Sequence, residues 1–272
     1  MSNYRFPDYQ VAGDADTTVY LLHGAYGSKD YFRAEIETLV NAGYRVVAWD
    51  APGYGISPLP AGGISIEGLA EAAARLIERT GSARNIVVGH SMGGITAPLV
   101  TRLAAGKVHG LVISATGASF SRKSEQDKVT FLEERIAPLK QGKPFREAAM
   151  PVILSMFAPD SKGELVDLVI EVAASTHTDT FCSSIEAITR YDGVATLKSV
   201  TVPTLLVAGE ADQVGRPESM RGLTELIPHA KFVCIPNAGH YAFAEQPEAF
   251  NKALIGFLRE IDASCATTPA TA

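Results

Sequence analysis

Three side chains in this chain could together make and break a carbonyl bond: Ser91, Asp212 and His240. A serine hydroxyl is a weak nucleophile until a base removes its proton, and that base works best when an acid holds its imidazole in one tautomer. Ser91 stands in Gly89-His90-Ser91-Met92-Gly93, directly after the apolar run "NIVV". This is a Gly-x-Ser-x-Gly sequence between a strand end and a helix start. Small residues are required there because the turn leaves no room for side chains facing the strand or the helix. Asp212 follows the apolar run "TLLVAG", and His240 follows "KFVCIP". Glu210 competes with Asp212 for the acid role, but it lies nearer the strand end and is expected to point elsewhere.

A tetrahedral intermediate also needs donors aimed at its oxyanion. The backbone amide of Met92, immediately after the serine, is one candidate. The amide of Ala25, in the loop His23-Gly24-Ala25-Tyr26-Gly27, is the other. His23 is read as shaping that loop. Tyr26, His90 and Tyr241 adjoin these motifs and are candidate pocket residues, as is His177 in "STHTDTFCSS".

The elements that must position these groups alternate. Strand runs at 18–22, 44–49, 85–88 and 108–115 are interleaved with helix-period segments, the order of a doubly wound, mostly parallel sheet. Ser65 is expected to cap a helix that Gly81 stops, and Pro98 falls inside the helix after Ser91. Between 120 and 199 no clear strand is visible. Helical patterns around Val129–Leu139, Phe145–Phe157 and Leu165–Ala174 read as an all-helical insertion. The sheet resumes at 204–209 and 231–236, and Pro247 opens the last helix. The expected division is a core of 1–119 and 200–262, an insertion of 120–199, and a disordered tail of 263–272.

Composition narrows the alternatives. The chain has 272 residues, 46% of them hydrophobic, and a net charge of −6 without long runs of one sign. That offers no reason to expect a nucleic acid or anionic membrane as partner. Three scattered cysteines support neither a disulfide framework nor a zinc site, and an odd count fits a reducing compartment. There is no signal-peptide pattern and no membrane-spanning apolar run, so a cytoplasmic protein acting on a small molecule is expected.

Taken together, these motifs resemble the α/β-hydrolase superfamily. The matching pieces are His23-Gly24, the loop Asp50-Ala51-Pro52-Gly53-Tyr54-Gly55-Ile56-Ser57, Gly-His-Ser-Met-Gly-Gly, Gly209-Glu210-Ala211-Asp212, and Gly239-His240 followed by Glu245-Gln246-Pro247. The resemblance implies an eight-stranded sheet whose first two strands form a short antiparallel pair, with the 120–199 insertion as a helical cap. It implies a Ser-His-Asp triad and no metal or organic cofactor. Among family members the chain is most similar to small-molecule carboxylesterases and enol-lactonases. Carbon–carbon bond hydrolases are the alternative within the same site, and a ligand receptor with a vestigial triad is an alternative of another class. The substrate and the oligomeric state are not legible.

Overall fold

A computed structural model describes residues 6–120 and 122–266. Among the described residues seven strands form one sheet: β1 (Tyr9–Ala12), β2 (Thr17–Leu22), β3 (Arg45–Trp49), β4 (Arg84–His90), β5 (Gly110–Ser114), β6 (Thr204–Gly209) and β7 (Lys231–Ile235). Their spatial order is β1-β3-β2-β4-β5-β6-β7; β1 runs antiparallel to β3 and every other pair is parallel. The count corrects the eight strands that the resemblance implied. Among the described residues the antiparallel portion is the four-residue β1 alone, pairing Tyr9 with Trp49 through Ala12 with Val46.

Burial follows position in the sheet. Every residue of β2, β5 and β6 is buried, as expected of strands covered on both faces. The two edges, β1 and β7, are partly solvated. Helices supply the cover. They are α1 (Arg33–Asn41), α2 (Ile66–Thr80) and α3 (Met92–Leu103) in the first half. Five more, α4 (Glu125–Lys140), α5 (Phe145–Ser155), α6 (Glu164–Ala174), α7 (Thr178–Arg190) and α8 (Val194–Lys198), lie between β5 and β6. The chain ends with α9 (Pro217–Gly222), α10 (Ala242–Glu245) and α11 (Pro247–Ala266).

Local chemistry accounts for the boundaries. The Ser65 hydroxyl accepts from the Gly68 amide at 3.0 Å, capping α2. Gly81 follows the last residue of α2, but its φ of −63° is not left-handed. Glycine is needed there because a Cβ would stand 2.6 Å from the Ile77 carbonyl oxygen. Pro98 lies within α3. Residues 263–266, expected in the tail, belong to α11, which continues to Ala266; the rest of that expectation, 267–272, lies outside the described residues.

Parallel strands bring their carboxyl ends to one edge of the sheet, where open α/β sheets bind ligands. His23, Asp50, Ser91, Asp212 and His240 all follow strand ends at that edge. The helices between β5 and β6 pack on the same loops. Thr180 donates to the Gly53 carbonyl at 2.7 Å, Ser184 meets the Tyr54 hydroxyl at 2.7 Å, and the Ile64 amide donates to Ser183 at 2.7 Å.

Candidate active site

Ser91 joins β4 to α3 with φ 53° and ψ −115°, a sparsely populated backbone region for a residue with a side chain. Its amide donates to the Ser114 carbonyl of the neighbouring strand at 2.9 Å, and its carbonyl accepts from Ile95 at 3.0 Å. The flanking glycines have a steric reason. A Cβ on Gly89 would lie 2.2 Å from the Gly93 carbonyl oxygen, and one on Gly93 would lie 2.1 Å from that of Leu22. The turn thus holds Ser91, half-buried, at the amino end of a 12-residue helix whose free amides and dipole favour negative charge.

Of the two carboxylates after β6, Asp212 reaches the imidazole. His240 Nδ1 lies 2.9 Å from Asp212 Oδ2, while the other Asp212 oxygen accepts from the amides of Val214 at 2.7 Å and Gly215 at 3.0 Å. Burial would raise the Asp212 pKa, but the adjacent His240 and these two amides hold it below the ordinary carboxylate value. An ionised carboxylate only accepts, so Nδ1 carries a proton toward it, and the tautomer this selects has its lone pair on Nε2. Glu210 instead accepts from the Asn237 amide at 3.0 Å and is exposed.

The loop after β2 approaches Ser91 closely: a Cβ on Gly24 would stand 2.9 Å from Ser91 Cβ and 3.4 Å from its Oγ. Three side chains set this loop. His23 Nδ1 donates to the Gly24 carbonyl at 2.8 Å while Nε2 accepts from the Ala51 amide at 2.9 Å. Burial lowers the His23 pKa to about 4, so the ring stays neutral with both contacts intact. Tyr31 accepts from the Gly24 amide at 2.7 Å. Lys29 donates through its backbone amide to buried Asp50 at 2.8 Å, and its ammonium bridges Asp50 and Asp8. Burial would lower that ammonium's pKa; the two carboxylates outweigh it and push it to about 12.

The other residues singled out from the sequence fall in different surroundings. His90 is buried with its ring centroid 4.9 Å from that of His240 and 5.4 Å from that of Tyr241, and among the described residues neither of its ring nitrogens has a hydrogen-bond partner. Burial and the neighbouring His240 and His23 hold its pKa well below the ordinary value, so it is neutral. Tyr26 is buried against Phe181, centroids 4.4 Å apart. Tyr241 is buried beside Phe157 at 4.9 Å. His177 is exposed before α7 and lines a surface cavity of about 430 Å³ with Gly53, Ile56, Leu59 and Thr180, a lining that does not include Ser91.

Tyr31, Lys29 and Glu245 were not anticipated as site residues. Glu245 opens the Glu245-Gln246-Pro247 run that follows the His240 loop. Among the described residues no group of three or more His, Cys, Asp or Glu side chains is arranged to hold a metal ion. Nor is any helix long and apolar enough to cross a membrane.

Known proteins agree with this architecture. The Alpha/beta hydrolase family model matches residues 19–253, and the chain belongs to that family. It is 30% identical over 262 residues to the "Putative carbamate hydrolase RutD" of Azorhizobium caulinodans, covering 93% of this chain and 95% of that one. A 3-oxoadipate enol-lactonase of Acinetobacter baylyi is 23% identical over 94% of each chain. Among solved structures, a thermophilic esterase from Thermogutta terrifontis superposes with a TM-score of 0.83 at 25% identity, over 93% of both chains.

Proposed function

We propose that this protein is a serine hydrolase that cleaves a small carboxylic ester or lactone through an acyl-enzyme. Ser91 Oγ attacks the carbonyl carbon. His240 takes its proton through Nε2 and returns it to the leaving alkoxide, while Asp212 orients the ring and stabilises the imidazolium. The amides of Met92 and Ala25 hold the oxyanion. Water activated by His240 then attacks the acyl-enzyme and releases the acid. The observation that carries this reading is the buried His240–Asp212 hydrogen bond at 2.9 Å, on the same sheet edge as a serine held at positive φ. The helices between β5 and β6 serve as a cap over this edge, which would exclude water from the reacting carbonyl.

The test is release of nitrophenolate from p-nitrophenyl acetate and butyrate by the wild type and by Ser91→Ala. Turnover should fall by on the order of 10³-fold or more in the variant. Equal rates in the two proteins would end the proposal. The relative named as a carbamate hydrolase favours adding an aryl carbamate to the panel, since attack at that carbonyl uses the same groups. A relative named as a 2-hydroxy-6-oxononadienedioate hydrolase, 28% identical over 92% of this chain, favours adding a β-diketone to detect carbon–carbon cleavage.

A further inference from the structure

The carboxylate of Glu245 collects four donors from two parts of the chain. Its Oε2 accepts from the Gly239 amide at 2.9 Å, the Ala158 amide at 2.8 Å and the Ser161 hydroxyl, and its Oε1 accepts from the Tyr241 amide at 3.0 Å. Gly239 and Tyr241 are the residues on either side of His240. Ala158 and Ser161 lie in the segment joining α5 to α6, 87 and 84 residues away along the chain. The same segment touches the histidine directly, because the His240 amide donates to the Met156 carbonyl at 2.8 Å. The two backbones are in such close contact that a Cβ on Gly239 would stand 2.4 Å from that carbonyl oxygen and 2.6 Å from the Ala158 nitrogen.

The loop carrying His240 has little regular structure of its own. It leaves β7 through Asn237 at φ 55° and enters the four-residue α10. Its backbone direction at His240 is therefore set by what holds residues 239, 240 and 241. Glu245 holds the first and last, and Met156 holds the middle one. Hydrogen bonds to an ionised acceptor are shorter and stronger than neutral ones. Two of the four donors belong to the insertion rather than to the loop. A carboxylate that merely closed its own turn would not need them.

We propose that Glu245 is a positioning residue for His240, and that it makes the placement of the imidazole conditional on the seating of the Met156–Ser161 segment. The proposal rests on the reading of His240 as the base. Lifting that segment breaks the bonds from Ala158 and Ser161 to Glu245 and from His240 to Met156. The histidine loop then keeps only Gly239 and Tyr241 on the carboxylate, and the imidazole loses the placement that these bonds give it. An opened insertion is in this way a catalytically idle one, and closure over substrate assembles the base.

The experiment uses the full chain with Glu245→Gln and, separately, Ser161→Ala. It reads kcat and KM on p-nitrophenyl butyrate and the downfield proton resonance of His240 Nδ1–H, identified by its loss in Asp212→Asn. A glutamine offers one accepting oxygen and turns an NH₂ toward donors. Glu245→Gln should lower kcat by about tenfold or more with KM within about threefold, and shift or broaden the resonance. Ser161→Ala, which touches only the insertion side, should lower kcat by about threefold and move the resonance in the same direction. Wild-type kcat and an unmoved resonance in folded Ser161→Ala would overturn the coupling, and this variant decides the matter if Glu245→Gln does not fold. If the wild type turns over no ester but the resonance moves in both variants, the link between Glu245 and His240 stands and the esterase reading falls. If ester turnover is present and the resonance is unmoved in both variants, the positioning role falls alone.

Discussion

The imidazole of His240 and the carboxylate of Asp212 meet at 2.9 Å with side chains only 3% and 0% exposed. Water does not compete for this bond, so its geometry and its protonation are decided by the protein. Asp212→Asn keeps an oxygen for the amides of Val214 and Gly215 but places an NH₂ against Nδ1. The ring must then accept at Nδ1 and carry its proton on Nε2, the wrong tautomer for a base. The expected result is a loss of about 10⁴-fold in kcat on a p-nitrophenyl ester. The melting temperature should move by no more than a few degrees, because the turn after β6 keeps its bonds. A variant retaining more than a tenth of wild-type kcat would remove Asp212 from the mechanism.

Gly24 and Gly89 should separate activity from folding. A methyl group on Gly24 would press on Ser91 Cβ at 2.9 Å and on His90 Cδ2 at 3.3 Å, and stand 3.4 Å from the Ser91 hydroxyl. The His90 ring can turn aside, but Ser91 Cβ moves only with its own backbone, so relieving the contact displaces the nucleophile. On Gly89 the same methyl would meet the Gly93 carbonyl oxygen at 2.2 Å and carbonyl carbon at 2.5 Å, which are backbone atoms of α3. Gly24→Ala should therefore fold, melt within about 5 °C of the wild type and lose at least about tenfold in kcat. Gly89→Ala should lose stability first, seen as a markedly lower melting temperature or insoluble protein. Equal melting temperatures for the two variants would contradict this division.

What could be read from the sequence and what could not divides along one physical line. Ser91, Asp212 and His240 were legible because each follows an apolar strand, and parallel strands necessarily gather their carboxyl ends. The strands of the central sheet were legible for the same reason, being continuous apolar runs. β1 was not: Tyr-Gln-Val-Ala is too short and too exposed to announce itself, and its existence depends on its bonds to β3. Nor was α7 distinguished, because its buried face includes Thr180 and Ser184, whose hydroxyls also bond to residues more than a hundred positions away. Glu245 belongs with these. Nothing local says that a glutamate after a histidine loop will also bind an amide 87 residues earlier.

His23 should make the protein sensitive to mild acid. Burial lowers its pKa from 6.5 to about 4. Between those values the unfolded chain takes up a proton that the folded one refuses, so stability falls as pH falls. The contribution is fully present above pH 6.5 and is lost as pH drops through the folded value near 4. His23→Gln has no proton to gain there. The wild type should be the more stable protein at pH 7, where both ring contacts are made, and the two denaturation midpoints should converge as pH approaches 4. A stability difference that stays constant across the range would mean that His23 does not titrate in this way.

Glu35 gives the opposite slope, over a window that overlaps that of His23 and extends to higher pH. It lies on α1 with 2% of its surface exposed, and among the described residues its Oε1 has no hydrogen-bond partner. Burial raises its pKa from 4.5 to about 8, an effect only partly offset by bonds from its own backbone and from Asn251. The folded protein therefore keeps this carboxyl protonated at neutral pH. The unfolded chain releases the proton above pH 4.5, so the folded state is penalised increasingly between pH 4.5 and 8, by about 1.4 kcal/mol for each pH unit. Glu35→Gln keeps the shape and removes the ionisation. It should melt close to the wild type at pH 5 and above it at pH 8, with a gap that widens steadily between them and reaches a few kcal/mol at most. Thermal denaturation of both proteins at half-unit pH steps measures that gap directly. A gap that does not depend on pH would show that Glu35 is ionised in the folded protein, and a partner for its buried charge would then have to be found near Asn251.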